Sequence, residues 1–424
     1  MSRQSAIEFM TARRMDAARI DILAEAKRME QTMEEGLRGE CAVMPMIPTY
    51  LRVDGRLHPG SRAIVIDAGG TNFRCGLIRF TESGPVLSDM KKTRMPGIGQ
   101  AVSWEEFISF VADAIEPLLP FADDIGFCFS FSAVVTPEID GRVIEIDKEV
   151  IITGSEGQLV GASLLAELEK RGITGKHVVI LNDTAAVLLG GMSTLDREHC
   201  GGLIGQVSGT GTNTCCVLPM RRIPKLGRDG EVGIIVNLES GAYDGLPRGD
   251  FDRVLDEQSH LPGEKHLEKL TAGVYLGELA RLALATAAAE DRITEQTAVA
   301  VSALGKFNSA VLDAWACGEQ LDFCGSDDDR AFLQTVAQEL FDRSARAMCA
   351  NLIAILLLTG EGKDAARPVT VCAEGSLVQK GRCYRPALEG YLMENAAAIG
   401  RSVRLQVGEE TTLPGAAAAA LLNR

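Results

Sequence analysis

An α/β protein of two domains is the fold class that this sequence predicts, and three observations carry the expectation. The 424 residues are more than one ordinary hydrophobic core organises. Short runs rich in Val and Ile, too brief for helices, alternate with segments whose apolar residues recur at helical spacing. Two glycine-rich turns, Gly69-Gly70-Thr71 and Gly209-Thr210-Gly211, each stand between such runs, so a strand-turn-strand pattern occurs twice in the chain.

Taken in order, residues 5–39 place Ile7, Met10, Ala17, Ile20, Leu23 and Met29 near helical spacing and end near Gly36 and Gly39, which predicts one long helix. Strands follow at 62–68 and 73–80. A helix over 104–119 is opened by Ser103 as N-cap, with Glu106 three residues later completing a capping-box pattern. Next come a strand at 125–131, a hairpin around Asp140-Gly141, a helix at 161–171 and a strand at 177–182. This succession of strands and helices resembles the ribonuclease-H-like lobe of actin-like ATPases. A second round begins with strands at 201–207, 213–218 and 232–238, after which the chain turns helical. The expected fold is therefore two ribonuclease-H-like lobes, one small and one large, around a cleft. The run Ala416–Ala420 continues a helix that alanine favours and asks for no special role.

Composition narrows the function classes. Apolar residues make up 46% of the chain, enough for compact lobes. The longest apolar stretch, around Cys349 to Leu358, is interrupted by Asn351 and falls short of the roughly 20 residues a spanning helix needs. The N-terminal residues mix Arg3, Arg13 and Arg14 with Glu8, Asp16, Asp21 and Glu25 and hold no apolar leader core. Eleven cysteines without a Cys-x-x-Cys pair suit buried thiols in a reducing compartment, so a cytoplasmic location is expected. A net charge of −15 disfavours nucleic acid and anionic membrane as partners. The sequence leaves the oligomeric state open.

Residues 64–78 contain the sharpest chemical signal. Two β-branched apolar runs flank Asp67, Gly69, Gly70, Thr71, Asn72 and Arg74. Paired glycines let backbone N–H groups approach an anion closely, and a carboxylate at the strand end suits phosphate when Mg²⁺ lies between them. Asp183 follows the apolar strand Val178-Val179-Ile180-Leu181, a position that fits either a general base or a simple helix N-cap.

With Phe129-Ser130-Phe131-Ser132, Leu181-Asn182-Asp183-Thr184, Gly209-Thr210-Gly211-Thr212-Asn213, Asn237-Leu238-Glu239-Ser240-Gly241-Ala242 and Pro262 to Leu270 in the same order, the chain resembles the hexokinase family almost end to end. The resemblance implies an ATP-dependent hexose 6-phosphotransferase, with glucose as the leading acceptor and a hexose and a nucleotide as partners. It implies Asp183 as the catalytic base, with Lys148 and Arg74 as cations on the transferred group and the acceptor oxygen. Ser130, Asn182, Asn213, Glu239 and Glu268 match the family's sugar contacts. ATP and Mg²⁺ would be held by Asp67, Gly69, Gly70, Thr71 and Asn72 on one lobe, Asp67 serving the metal, and by Thr210, Gly375, Ser376 and Gly415 elsewhere. The implied small domain is 61–181 plus 411–424 and the large domain 1–60 plus 182–410, with hinges near Arg62, Asn182 and Glu410.

Four positions depart from the family pattern near the expected sugar pocket: Asp147 replaces the threonine usual before Lys148, and Ser132, Lys265 and Ser240 replace proline, glutamine and tryptophan. They leave open a kinase for mannose, fructose or an amino sugar, or a sugar-responsive regulator with weak turnover. A phosphoryl donor other than ATP also stays open.

Overall fold

Two sheets with the same strand order organise the chain in the computed structural model, which describes residues 2–146 and 150–424. The first contains β1 (Arg62–Ala68), β2 (Asn72–Thr81), β3 (Gly84–Arg94), β4 (Asp124–Phe129) and β5 (His177–Leu181), arranged β5-β4-β1-β2-β3. β1 runs parallel to β4, and β4 parallel to β5, while β2 and β3 fold back antiparallel. The second contains β6 (Gly202–Ser208), β7 (Thr212–Pro219), β8 (Gly233–Asn237), β9 (Val369–Glu374) and β10 (Val403–Val407), arranged β10-β9-β6-β7-β8. A further strand, Ile47–Arg52, extends it beyond β8. The repeated strand order is the one expected of two ribonuclease-H-like lobes.

Chain contacts define two compact units: residues 1–45, 207–214 and 239–407 form the first, and residues 46–206, 215–238 and 408–424 the second. The chain passes from one to the other within β6 and β7.

In the second unit, β1 is buried on both faces because alternate residues feed two separate apolar layers. Ile64 and Ile66 join Phe107, Val111, Leu164 and Leu168 from helices Trp104–Ile115 and Val160–Lys170. Ala63 and Val65 join Ala185, Leu188 and Ala416–Ala420 from helices Asp183–Met192 and Thr412–Leu422. The alanine run therefore has a structural role that the sequence did not suggest: its five side chains are fully buried. A Cβ on Gly126 of β4 would stand 1.9 Å from the Ala416 carbonyl oxygen, and one on Gly190 2.1 Å from that of Thr411. Small residues let this helix lie against its neighbours at backbone distance.

The first unit is built around the 33-residue helix Asp327–Thr359. Ser326 caps it by accepting from the Asp329 N–H, three aspartates occupy its first turn, and Gly360 at φ 73° ends it. Helices Ser2–Ala12, Ile22–Arg38 and Tyr384–Ala398 pack on it. Arg343 from its middle is buried and bidentate to Asp252, with Nη2 2.6 Å and Nη1 3.2 Å from the carboxylate.

The single N-terminal helix expected over 5–39 is two helices, Ser2–Ala12 and Ile22–Arg38, separated by a 3₁₀ turn at Ala17–Arg19. Arg14 adopts φ 58°, which a helix interior excludes, and the Asp21 side chain starts the second helix by accepting from the Ala24 N–H. Ala17 and Ile20 are nevertheless buried, so helical spacing persists through a segment that is not α-helical. The Ser103–Glu106 capping box is present, with contacts of 3.2 and 2.6 Å. Its helix becomes 3₁₀ from Glu116, around Pro117 and Pro120. Among the described residues, no helix is long and apolar enough to cross a membrane.

Candidate functional site

In the second unit the chemistry gathers where the three parallel strands end. Asp67, near the end of β1, is in register with Arg74 on β2, and its Oδ2 accepts from Arg74 Nη2 at 2.6 Å and Nε at 3.0 Å. Burial disfavours the guanidinium charge, but the charge and hydrogen bonds of Asp67 outweigh it and hold the Arg74 pKa above its ordinary value. The turn between the strands is tight, the Gly69 N–H donating to Asn72 O at 3.1 Å, and Thr71 and Asn72 are exposed at its tip. Ser130 continues β4 past its end, its N–H donating to Ala68 O at 3.1 Å.

β5 delivers Asn182 and Asp183. Asn182 is the N-cap of helix Asp183–Met192, its Oδ1 accepting from the Ala185 N–H at 3.0 Å. Capping thus falls to Asn182, and Asp183 occupies the first helical position, its Oδ1 accepting from the Thr184 hydroxyl at 3.2 Å. Cys128 of β4 pairs with Asp67 on one side and Leu181 on the other. Burial first, then the charges of Asp67 and Asp183, push its thiol pKa well up, so both carboxylates act on the same point at the strand ends. Lys148, and Asp147 before it, lie outside the described residues. Gly415 is in the C-terminal helix, where a Cβ would stand 1.8 Å from the Ala186 carbonyl oxygen, so packing alone demands glycine there.

The first unit carries a separate set of groups around the turn from β6 to β7. Glu268 Oε2 accepts from the Thr212 N–H at 2.9 Å, and a side chain on Gly211 would meet that oxygen at 2.8 Å. Asn213 Oδ1 accepts from the N–H groups of Thr214 and Ser240, and its Nδ2 donates to Glu239 Oε1 at 3.4 Å. Lys265 Nζ stands 3.6 Å from Glu239 Oε2. Both partners of that ion pair hold left-handed backbone, Glu239 at φ 58° and Lys265 at φ 55°, which costs energy in residues with side chains and is concentrated at functional sites. Asn213, Glu239, Glu268 and Lys265 are therefore brought together.

Behind the same turn, Gly209 and Gly375 approach at backbone distance. Gly375 has φ 123°, and a Cβ on it would meet Ser208 O at 2.4 Å, while one on Gly209 would meet the Ser376 N at 3.2 Å. A cavity of about 410 Å³ opens beside them, with Thr210, Asn308, Asp313, Ser376 and Lys380 among its lining. Thr210 and Ser376 were expected from sequence; Asn308, Asp313 and Lys380 were not, because no local motif marks residues that meet only through the packing of separate helices. Lys265 was visible as a departure, but its pairing with Glu239 was not.

The repeated strand order defines an α/β fold of the actin-like ATPase kind. Over 99% of both chains, the structure matches a hexokinase of Schistosoma mansoni solved with glucose, at TM-score 0.79 and 21% identity. Another hexokinase crystal structure matches over 99% of both chains at TM-score 0.83 and 19% identity. Two family models, both described as hexokinase, match residues 9–193 and 203–422. Hexokinase-7 of rice is 28% identical over 415 residues, covering 89% of this chain and 88% of its own. Hexokinase-1 of Schizosaccharomyces pombe is 30% identical over 271 residues, which are 60% of this chain and only 55% of the yeast protein. The chain belongs to the hexokinase family.

Proposed function

We propose that the protein phosphorylates a hexose, moving the γ-phosphoryl group of ATP to the 6-hydroxyl, with glucose the first substrate to test. One observation carries the reading: Asp67 and Asp183 stand at the carboxyl ends of the two strands that flank β4, Asp67 and Leu181 both being in register with Cys128, and the N-cap of the following helix is Asn182. A carboxylate so placed can take the hydroxyl proton as the oxygen attacks.

Asn213, Glu239 and Glu268, with Asn182 and Ser130, are residue types that hold hydroxyls as donors and acceptors together. The cavity beside Thr210 and Ser376 falls within the range of small-molecule sites, and we assign the adenosine part of the nucleotide to it. Asp67 is a hard oxygen donor at a glycine turn, and Mg²⁺, which keeps most of its waters, suits a carboxylate that already shares one oxygen with Arg74. The ion would supply charge neutralisation on the phosphates. Arg74 holds Asp67 in place, and Lys148 is assigned to the transferred group. We retain 61–181 with 411–424 as the small domain and place the enzyme in the cytoplasm, with small solutes as its partners; eleven cysteines without a Cys-x-x-Cys pair suit a reducing compartment.

The Lys265–Glu239 pair favours a second reading, a kinase whose preferred hexose is not glucose, because an ammonium group has entered the set of hydroxyl-binding side chains. A coupled assay with ATP and glucose, mannose, fructose or glucosamine separates the two. ATP consumption that ignores every sugar refutes both.

A further inference from the structure

Outside the groups assigned above, the first unit contains a cluster in which the ligand atoms of Asp313, Cys317 and Cys383 lie within 4.8 Å of one another. Cys317 ends helix Ser309–Ala316, and Cys383 immediately precedes helix Tyr384–Ala398. Their sulfurs are 3.6 Å apart. A metal is a poor occupant. Asp313 Oδ1 already accepts from the Cys383 N–H at 3.1 Å and Oδ2 from Arg382 Nε at 3.0 Å, so a cation would meet spent oxygens and a guanidinium.

The same two segments form two walls of the 410 Å³ cavity. Asn308, Ser309, Ala310 and Asp313 come from the helix that ends at Cys317, and Ser376, Leu377, Lys380 and Gly381 come from the stretch that leads to Cys383. Asp313 belongs both to the cavity lining and to the thiol cluster. We propose that Cys317 and Cys383 form a reversible disulfide that ties these walls together and weakens nucleotide binding in the cavity. This rests on the assignment of the cavity to the nucleotide.

The oxidant is a low-molecular-weight disulfide of the glutathione type. Cys317 is exposed and attacks first: its thiolate bonds to one sulfur of the small disulfide and the other leaves as a thiolate. Cys383 then gives up its proton and attacks the Cys317 sulfur, expelling the second small thiolate, which takes the proton. Two protein thiols are oxidised and one small disulfide is reduced to two thiols. Burial, then the neighbouring Cys317, pushes the Cys383 pKa up to about 12, which makes Cys383 the second attacker. The contribution from Cys317 disappears once that sulfur is capped. Closing the sulfurs from 3.6 Å to the roughly 2.05 Å of a disulfide draws the two segments together and disturbs the Asp313 contact with the Cys383 N–H.

The test uses the full chain, equilibrated across ratios of oxidised to reduced glutathione, alkylated, digested and searched for a peptide linked through 317 and 383. The expected result is that this link forms, raises the KM for ATP at least fivefold, changes the hexose KM less than twofold, and reverses with dithiothreitol. Cys317→Ser and Cys383→Ser each retain the activity of the reduced protein and lose the response. Absence of the link at the most oxidising ratio, or a linked protein with unchanged KM for ATP, overturns the proposal. In reduced protein, Ser309→Phe should raise the KM for ATP by filling the cavity; no change there removes the nucleotide assignment itself, whatever the thiols do.

Discussion

Asp183→Asn tests the central assignment with the least disturbance to the fold. The substitution keeps the shape of the side chain and removes its capacity to accept a proton. Asn182 is the N-cap of the helix, and its bond from the Ala185 N–H is untouched by the substitution. The structural cost includes the charge of one carboxylate in the first turn, worth about 0.3–1 kcal/mol against the helix dipole, while the amide oxygen can still accept from the Thr184 hydroxyl. A positioned general base contributes about 10²–10⁴ in rate, or roughly 3–5 kcal/mol of transition-state stabilisation. The catalytic loss should therefore exceed the stability loss severalfold. The assay is steady-state hexose phosphorylation, with thermal unfolding measured on the same preparation. kcat should fall at least a hundredfold while the hexose KM moves little and unfolding shifts by no more than a few degrees. A folded variant retaining kcat within about twofold would refute the base assignment, and equal losses in stability and rate would mark Asp183 as structural.

Gly126→Ala puts a methyl group 1.9 Å from the Ala416 carbonyl oxygen, so unfolding by urea should show a loss of about 1–3 kcal/mol or more from overpacking. Lys265→Gln removes the ammonium beside Glu239; the ratio of kcat/KM for glucosamine to that for glucose should rise as repulsion of the protonated amine is relieved, and an unchanged ratio would place Lys265 outside the sugar site. Burial works to raise the Asp329 pKa, but hydrogen bonds from Thr294 and Thr297 outweigh it and hold it below the ordinary carboxylate value. Its stabilisation is thus complete above the unfolded-state pKa of about 4 and is lost as pH falls through the lower folded value, so Asp329→Asn should flatten the acid limb of the stability profile measured by denaturant unfolding.

Strands were legible wherever local composition decides them. β1, β2 and β5 lie within a residue or so of their expected bounds because β-branched runs between turn residues leave little alternative. The N-terminal helix was misread because Met15, Ala17 and Ile20 are buried by tertiary packing, which mimics helical spacing across a break. The candidate residues were legible as motifs, since Asp67, Asn182, Asp183 and Glu239 all sit at strand ends next to turn signals. Their partnerships were not: the Asp67–Arg74 pair depends on hairpin register, and Glu239–Lys265 on left-handed backbone at both residues. The alanine run looked bland because single-sequence reasoning sees alanine only as a helix former, whereas its value here is the methyl group's small size against Gly126.

The two sheets repeat one strand order but not one chemistry, and that asymmetry bears on how the work is divided. In the first sheet the central strand β1 carries Asp67 at its end, and the adjoining hairpin returns Arg74 to it. At the corresponding end of β6 stands Ser208, buried and hydrogen-bonded to the Tyr384 hydroxyl at 3.1 Å. That hairpin offers Thr210 and backbone, and its carboxylates, Glu239 and Glu268, come from segments beyond the strands. A strand-end carboxylate beside a glycine turn suits charge handling, whereas hydroxyl and backbone donors suit an anion already neutralised. Placing an aspartate at 208 should therefore not create a second metal site: it would bury a larger, charged group where Ser208 meets the Tyr384 hydroxyl, and Ser208→Asp is expected to unfold at lower urea without any gain in Mg²⁺ dependence.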